Sequence, residues 1–154
     1  MFKIIEGNLF ETKADIICHQ CNCQGVMGSG VAAEVKKRYP EVFKAYRKDY
    51  EDGKLVLGYV NFAPACTGQI LANLCGQEKY GYDGKRYTHY DKLQECFDNV
   101  VSYAKENFEK KPVIAFPYLM SCHRGGGDWN VVSKMIEDTF GDFEVEIWRL
   151  QPKE

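Results

Sequence analysis

His19-Gln20-Cys21-Asn22-Cys23-Gln24-Gly25-Val26-Met27-Gly28-Ser29-Gly30-Val31-Ala32 runs from a strand end through three glycines into the start of a helix. Glycine allows positive φ and close backbone approach, so successive N–H groups can point at one anion while the helix N-terminus adds its partial positive charge. This is phosphate-binding geometry, although a glycine pattern alone is also what a plain strand-to-helix turn looks like. A second stretch has the same construction: Pro117-Tyr118-Leu119-Met120-Ser121-Cys122-His123-Arg124-Gly125-Gly126-Gly127-Asp128-Trp129 joins an apolar run at 113–116 to another helical pattern. Two such units in one small fold can clamp both phosphates of a pyrophosphate. Asp128 also reads as a helix N-cap and Trp129 as core packing, roles compatible with a ligand nearby.

Outward from these loops, short apolar runs alternate with helical periodicity. Residues 2–5, 16–18, 57–62, 70–74, 113–116 and 145–150 read as strands, with Gly7-Asn8 as a turn signal and 63–68 turn-rich. Val31, Val35, Tyr39, Val42, Phe43 and Tyr46 share a helical face over 31–50, interrupted or restarted near Pro40. Leu93, Phe97, Val100, Val101 and Ala104 do the same over 91–108, and Val131, Val132, Met135 and Ile136 over 128–140. Strands interleaved with helices, without internal repeats, predict an α/β fold: a three-layer α/β/α sandwich around a central mixed sheet. In such sheets ligands sit beyond the carboxyl ends of the strands.

A chain of 154 residues suits one domain, 1–154, able to bury a three-layer core. With 45% hydrophobic and 27% charged residues, and no run near the ~18–20 apolar residues of a membrane span, membrane insertion is not expected. Met1-Phe2-Lys3-Ile4-Ile5-Glu6 lacks the apolar core of a secretory signal, which predicts a cytoplasmic protein. Seven cysteines without paired spacing read as reduced, mostly buried thiols. Cys18-x-x-Cys21 and Cys21-x-Cys23 are not followed by a second ligand pair, so no metal site is expected. A net charge of −2 offers no general attraction to a polyanion, so an anionic ligand must be held by local groups.

Over nearly its whole length the chain resembles the macro-domain family, through Gly7-Asn8-Leu9, the 22–30 loop followed by Val31-Ala32, and the late glycine loop with Trp129. The segment from His19 to Tyr39-Pro40 is most similar to the ADP-ribose-1″-phosphate phosphatase-like branch. The resemblance implies binding of ADP-ribose or ADP-ribose-1″-phosphate, with ADP-ribosylated protein or nucleic acid as further partners, no cofactor and a monomeric state. It implies that Asn22 bonds the distal ribose, that the backbone of Met27, Gly28, Ser29, Gly30 and Val31 holds one phosphate, and that Ser121, Cys122, His123, Arg124, Gly125 and Gly126 hold the other. Asn8, with Leu9 beside it, stands where the family usually has an aspartate that accepts from the adenine amino group; an asparagine carbonyl can accept that bond without charge. Ser121 and His123 replace glycines common in relatives, so their side chains narrow the pocket or, for His123, reach a phosphate.

The same branch implicates a histidine at the His19 position, as a general acid or nucleophile towards a terminal phosphate. The competing reading is a core histidine satisfied by a neighbour. Asp128 is the carboxylate beside the second loop that could orient water. Another branch removes ADP-ribose with a lysine after the central strand and, in some members, an aspartate in the second loop; here Gln77 and Gly125 stand at those places. Lys79 and Lys85 compensate only if the 76–90 loop folds over the site, and Tyr80, Tyr82, Tyr87 and Tyr90 of that region either stack on a base or pack over the domain edge. Three functions are therefore weighed: a hydrolase acting at the distal ribose, a non-catalytic module that reads or sequesters ADP-ribose, and, disfavoured by the charge, a nucleic-acid-end binder.

Overall fold

A computed structural model describes residues 2–28, 30–78, 88–122 and 126–150. Six strands and four α-helices follow one another as β1 (Phe2–Glu6), β2 (Ile16–Cys21), α1 (Gly30–Arg38), α2 (Pro40–Glu51), β3 (Val60–Pro64), β4 (Ile70–Cys75), α3 (Tyr90–Asn107), β5 (Val113–Pro117), α4 (Trp129–Thr139) and β6 (Glu144–Arg149). A 3-10 turn, Leu9–Glu11, lies between β1 and β2. The strands form one sheet in the order β1-β6-β5-β2-β4-β3, in which only the β3–β4 pair is antiparallel.

The expected three layers are present. Ile17, Cys21, Leu71 and Cys75 pack under Val35 of α1 and Val42 and Tyr46 of α2. On the opposite face Ile16, Cys18, Ala72 and Leu74 meet Leu93, Phe97 and Val100 of α3 and Val132 and Ile136 of α4. Strand side chains alternate between faces, so each central strand contributes to both cores and is apolar nearly throughout. The helical break near Pro40 is as expected: α1 ends at Arg38, and Pro40 opens α2, where its fixed φ suits a first turn and its missing N–H costs nothing.

Most strand boundaries fall within one or two residues of expectation, and two differ by three. The third strand begins at Val60, not 57, because Gly58 takes a left-handed φ of 92° and turns the chain, its N–H bonding Cys75 O at 2.9 Å. The second strand continues to Cys21 because His19 and Gln20, polar residues that looked like a strand end, each find buried partners on their own face of the sheet.

The topology positions the site. From β2 the chain leaves through α1 and α2 towards β3 at one edge, and from the adjacent β5 it leaves through α4 towards β6 on the other side. Adjacent strands whose exits diverge leave a crevice at their carboxyl ends. The segment 22–29 follows β2, and 118–128 follows β5, so both glycine loops border that crevice. Gly7-Asn8 after β1 and Gly76-Gln77 after β4 leave the same edge, since β1, β6, β5, β2 and β4 run in parallel.

Candidate functional site

The first loop is shaped by Asn22. Its Oδ1 accepts the Gln24 N–H at 2.9 Å and its Nδ2 donates to Val26 O at 3.0 Å, while the buried Tyr46 hydroxyl donates to Asn22 O at 2.5 Å. Asn22 is 9% exposed and most of its hydrogen-bonding capacity serves the loop, with one amide hydrogen lacking a partner among the described residues. Gly25, at φ 72°, lies so close to α2 that an added Cβ would sit 2.6 Å from the Tyr50 ring; Arg47 Nη1 donates to its carbonyl at 3.3 Å. Gly25→Ala is therefore expected to destabilise the fold by about 1–3 kcal/mol in urea unfolding. Met27 buries its side chain in the α1/α2 core, which presses the loop backbone onto the fold. The N–H groups of Val26, Met27 and Gly28 have no hydrogen-bond partner among the described residues, and they lead into the unpaired first turn of α1 at Gly30 and Val31. Such a run of amides is what an anion needs.

The second loop contains backbone that sequence patterns do not reveal. Leu119 and Ser121 are non-glycine residues with left-handed φ of 61° and 72°. Ser121 O accepts the Gly127 N–H at 2.7 Å, a turn so tight that a Cβ on Gly127 would lie 2.8 Å from that oxygen. Non-glycine residues hold such conformations only where their surroundings over-determine them, and they concentrate at functional sites. Asp128 caps α4, its carboxylate accepting the Asn130 N–H at 2.9 Å, and its own N–H bonds the Tyr90 hydroxyl at 2.9 Å. Trp129 packs edge-on against Tyr118, with ring centroids 5.3 Å apart. Burial first, and then the neighbouring Asp128, pushes the Cys122 thiol up to about 11, which keeps it protonated. Gly126 follows with φ 66°. Ser29, His123, Arg124, Gly125, Lys79, Tyr80, Tyr82, Lys85 and Tyr87 lie outside the described residues.

At the far end of the edge, Asn8 is half-buried and caps the 3-10 turn, its side chain accepting the Phe10 N–H at 2.9 Å beside the buried Leu9. A carbonyl oxygen has two lone pairs, so this cap leaves room for a second donor. The Cys23 N–H joins the first loop to the end of β4 by a bond to Glu78 O at 3.2 Å. A side-chain hydrogen bond from Cys75 holds the Cys23 thiol below its ordinary value, against burial.

His19 is not at the surface of this edge. It is 1% exposed on the α1/α2 face, and its Nε2 bonds Asn73 Oδ1 at 2.5 Å. Asn73 Nδ2 donates to Asn61 Oδ1 at 2.9 Å, and Asn61 Nδ2 donates to Asp49 at 2.7 Å, where the Tyr59 hydroxyl also donates at 2.6 Å. Because Asn73 spends its amide on Asn61, its oxygen must accept, which places the His19 proton on Nε2. Burial lowers the imidazole to about 4, only partly opposed by the Asn73 bond, so it is neutral at pH 7. The expectation that His19 reaches a terminal phosphate conflicts with this placement: a neutral, fully buried ring is bonded to Asn73 of the neighbouring strand.

Sequence reading also passed over Gln20, whose carboxamide joins Gln77, Thr88 and Ser121 on the opposite face. A polar residue inside an otherwise apolar strand was the available signal. The described residues hold no cluster of three metal-ligating side chains, and no helix among them is long and apolar enough to cross a membrane.

The chain is similar in sequence and in fold to known proteins. A family model, the macro domain, matches residues 18–136. The ADP-ribose 1″-phosphate phosphatase of Saccharomyces cerevisiae is 34% identical over 172 residues, covering 95% of this chain and 97% of that protein. The DNA ADP-ribosyl glycohydrolase of Thermus aquaticus is 26% identical over 158 residues, which take in the whole of this chain but 42% of that protein's length. In three dimensions the macrodomain of Thermus aquaticus DarG superposes with a TM-score of 0.78 at 25% identity, with 99% of each chain covered. The chain belongs to the macro domain family.

Proposed function

We propose that the protein binds ADP-ribose derivatives across the carboxyl edge of its sheet and hydrolyses the bond to C1″ of the distal ribose, with ADP-ribose-1″-phosphate as the leading substrate. Water and this substrate yield ADP-ribose and inorganic phosphate. The observation that carries the reading is that the two glycine loops follow the adjacent strands β2 and β5 at one crevice, with the second loop tied to β2 by the bond from Ser121 Oγ to Gln20 Oε1 at 2.7 Å. The S. cerevisiae phosphatase, which matches 95% of this chain, supports that choice of substrate.

In this reading the amides of Met27 to Val31 hold one phosphate and the 121–126 backbone holds the other. The remaining amide hydrogen of Asn22 meets a distal-ribose hydroxyl, and Asn8 with Leu9 takes the adenine. Gln77, 6% exposed and accepting from Gln20, supplies no cation where the glycohydrolase-type branch uses lysine, which favours phosphate as leaving group over a base or side chain. Asp128 orients the attacking water, and His19 supports the strand without touching the ligand. The protein is taken as a cytoplasmic monomer that needs no cofactor.

The test is phosphate release from ADP-ribose-1″-phosphate by the purified protein, with ADP-ribosylated protein and ADP-ribosylated DNA offered in parallel. Asp128→Asn preserves an oxygen for the Asn130 cap and removes the charge, so turnover should fall by roughly a hundredfold while ADP-ribose affinity holds. Binding without release from any substrate would establish the non-catalytic module instead.

A further inference from the structure

Gln20 is the last inward-facing residue of β2 on the α3/α4 side, directly at the crevice. Its Nε2 donates to Gln77 Oε1 at 2.6 Å and to Thr88 Oγ1 at 2.8 Å, and its Oε1 accepts from Ser121 Oγ at 2.7 Å. Thr88 spends its own proton on Ser121 O at 3.2 Å, which closes a ring of bonds through Gln20, Thr88 and Ser121. The donors and acceptors fit only one orientation of the carboxamide, oxygen towards Ser121. Room for it is made at Gly76, where a Cβ would stand 2.6 Å from Gln20 Oε1 and 3.0 Å from Leu93 Cδ1. Gly76 has no left-handed φ, so glycine is needed there for space. An isolated bridge pairs Gln77 with Thr88, and both residues bond the same carboxamide.

Ser121 is where the strained second loop is held, and among the described residues three bonds hold it: Gly127 N–H and Thr88 Oγ1 on its carbonyl, and Gln20 on its hydroxyl. Removing Gln20 frees the hydroxyl and loosens Thr88, leaving the Gly127 N–H as the one of these bonds that does not depend on Gln20 to hold a left-handed serine. We propose that Gln20 is a positioning residue which sets the second phosphate-binding loop through Ser121 and Thr88, so that ligand affinity depends on a side chain of the strand leading to the other loop. This rests on the ADP-ribose reading of the site. It makes the two loops and the end of β4 a single unit, a pre-organisation whose loss weakens binding more than it weakens the fold.

The experiment is a calorimetric titration of ADP-ribose against wild type, Gln20→Leu, Ser121→Ala and the double variant, with a melting curve for each. Gln20→Leu should bind at least tenfold more weakly, and the double variant should bind no worse than the weaker single one, because both act through one bond. Amide NMR shifts in Gln20→Leu should concentrate at 119–122, 126–128 and 76–78. Should Gln20→Leu fail to fold, Gly76→Ala displaces the same carboxamide by steric pressure and should give the same loss of affinity. A wild type that binds no ADP-ribose overturns this inference together with the functional reading. A wild type that binds, with a folded Gln20→Leu or Gly76→Ala binding within twofold of it, overturns this inference alone, as do additive losses in the double variant.

Discussion

Gly28→Glu is expected to weaken ADP-ribose binding by a hundredfold or more while leaving the circular-dichroism spectrum and melting temperature of the wild type. Gly28 is exposed, lacks a left-handed φ, and an added Cβ would meet only Val26 Cγ1 at 3.6 Å, an ordinary contact. The new side chain therefore costs the fold little, and its carboxylate enters the space in front of the open amides of Val26, Met27 and Gly28. At ~6 Å from a phosphate charge the repulsion is roughly 0.7–3 kcal/mol per pair between the water and protein-surface limits, and a diphosphate presents two charges. A hundredfold loss corresponds to about 2.7 kcal/mol, within that range. Gly28→Ala, which adds bulk without charge, should lose far less. A folded Gly28→Glu with wild-type affinity would show that the phosphates lie elsewhere.

The second large effect is on stability and is read through His19. His19→Ala leaves Asn73 Oδ1 with only the weak Cys21 thiol donor at 3.9 Å and opens a cavity in the α1/α2 core, which should cost about 1–3 kcal/mol for the polar group, with a cavity penalty added. Turnover per folded molecule should stay within about threefold of wild type. The pH dependence has a definite sign. Folding lowers the imidazole from 6.5 to about 4, so between those values the unfolded chain binds a proton that the folded chain refuses. Stability then rises with pH across that window: the contribution is lost as pH falls through it and fully present above 6.5. Its size is on the order of 3 kcal/mol at most, and the wild-type-minus-variant difference in unfolding free energy between pH 4 and pH 7 isolates it from carboxylates titrating nearby. An unchanged melting curve with a hundredfold drop in turnover would return His19 to the chemistry.

Gly28 and His19 mark how far the sequence could be read. The glycine loops, the restart at Pro40 and the cap at Asp128 were legible because each is decided by residues within a few positions of one another: a glycine for close approach, a proline at a first turn, an aspartate two residues before the N–H that it accepts. The extent of β2 was not. His19 and Gln20 looked like the end of a strand, and they extend it because Asn73 waits on one face and Gln77, Thr88 and Ser121 on the other. The left-handed Leu119 and Ser121 were likewise invisible, since no local preference selects that conformation in a leucine or a serine.

By itself, then, the sequence determined the family, the order of strands and helices, and which two glycine-rich segments follow β2 and β5, because glycine spacing, apolar period and capping residues act over one or two turns of chain. The tertiary structure decided that His19 is enclosed and Gln20 is shared. Which polar groups a buried side chain meets depends on which strands lie side by side: β4 beside β2 supplies Asn73 and the end from which Gln77 follows, and β5 on the other flank brings Ser121 to Gln20. A polar residue on a central strand cannot stay there unsatisfied, and its partners, far away in sequence, come within reach only when the sheet is assembled.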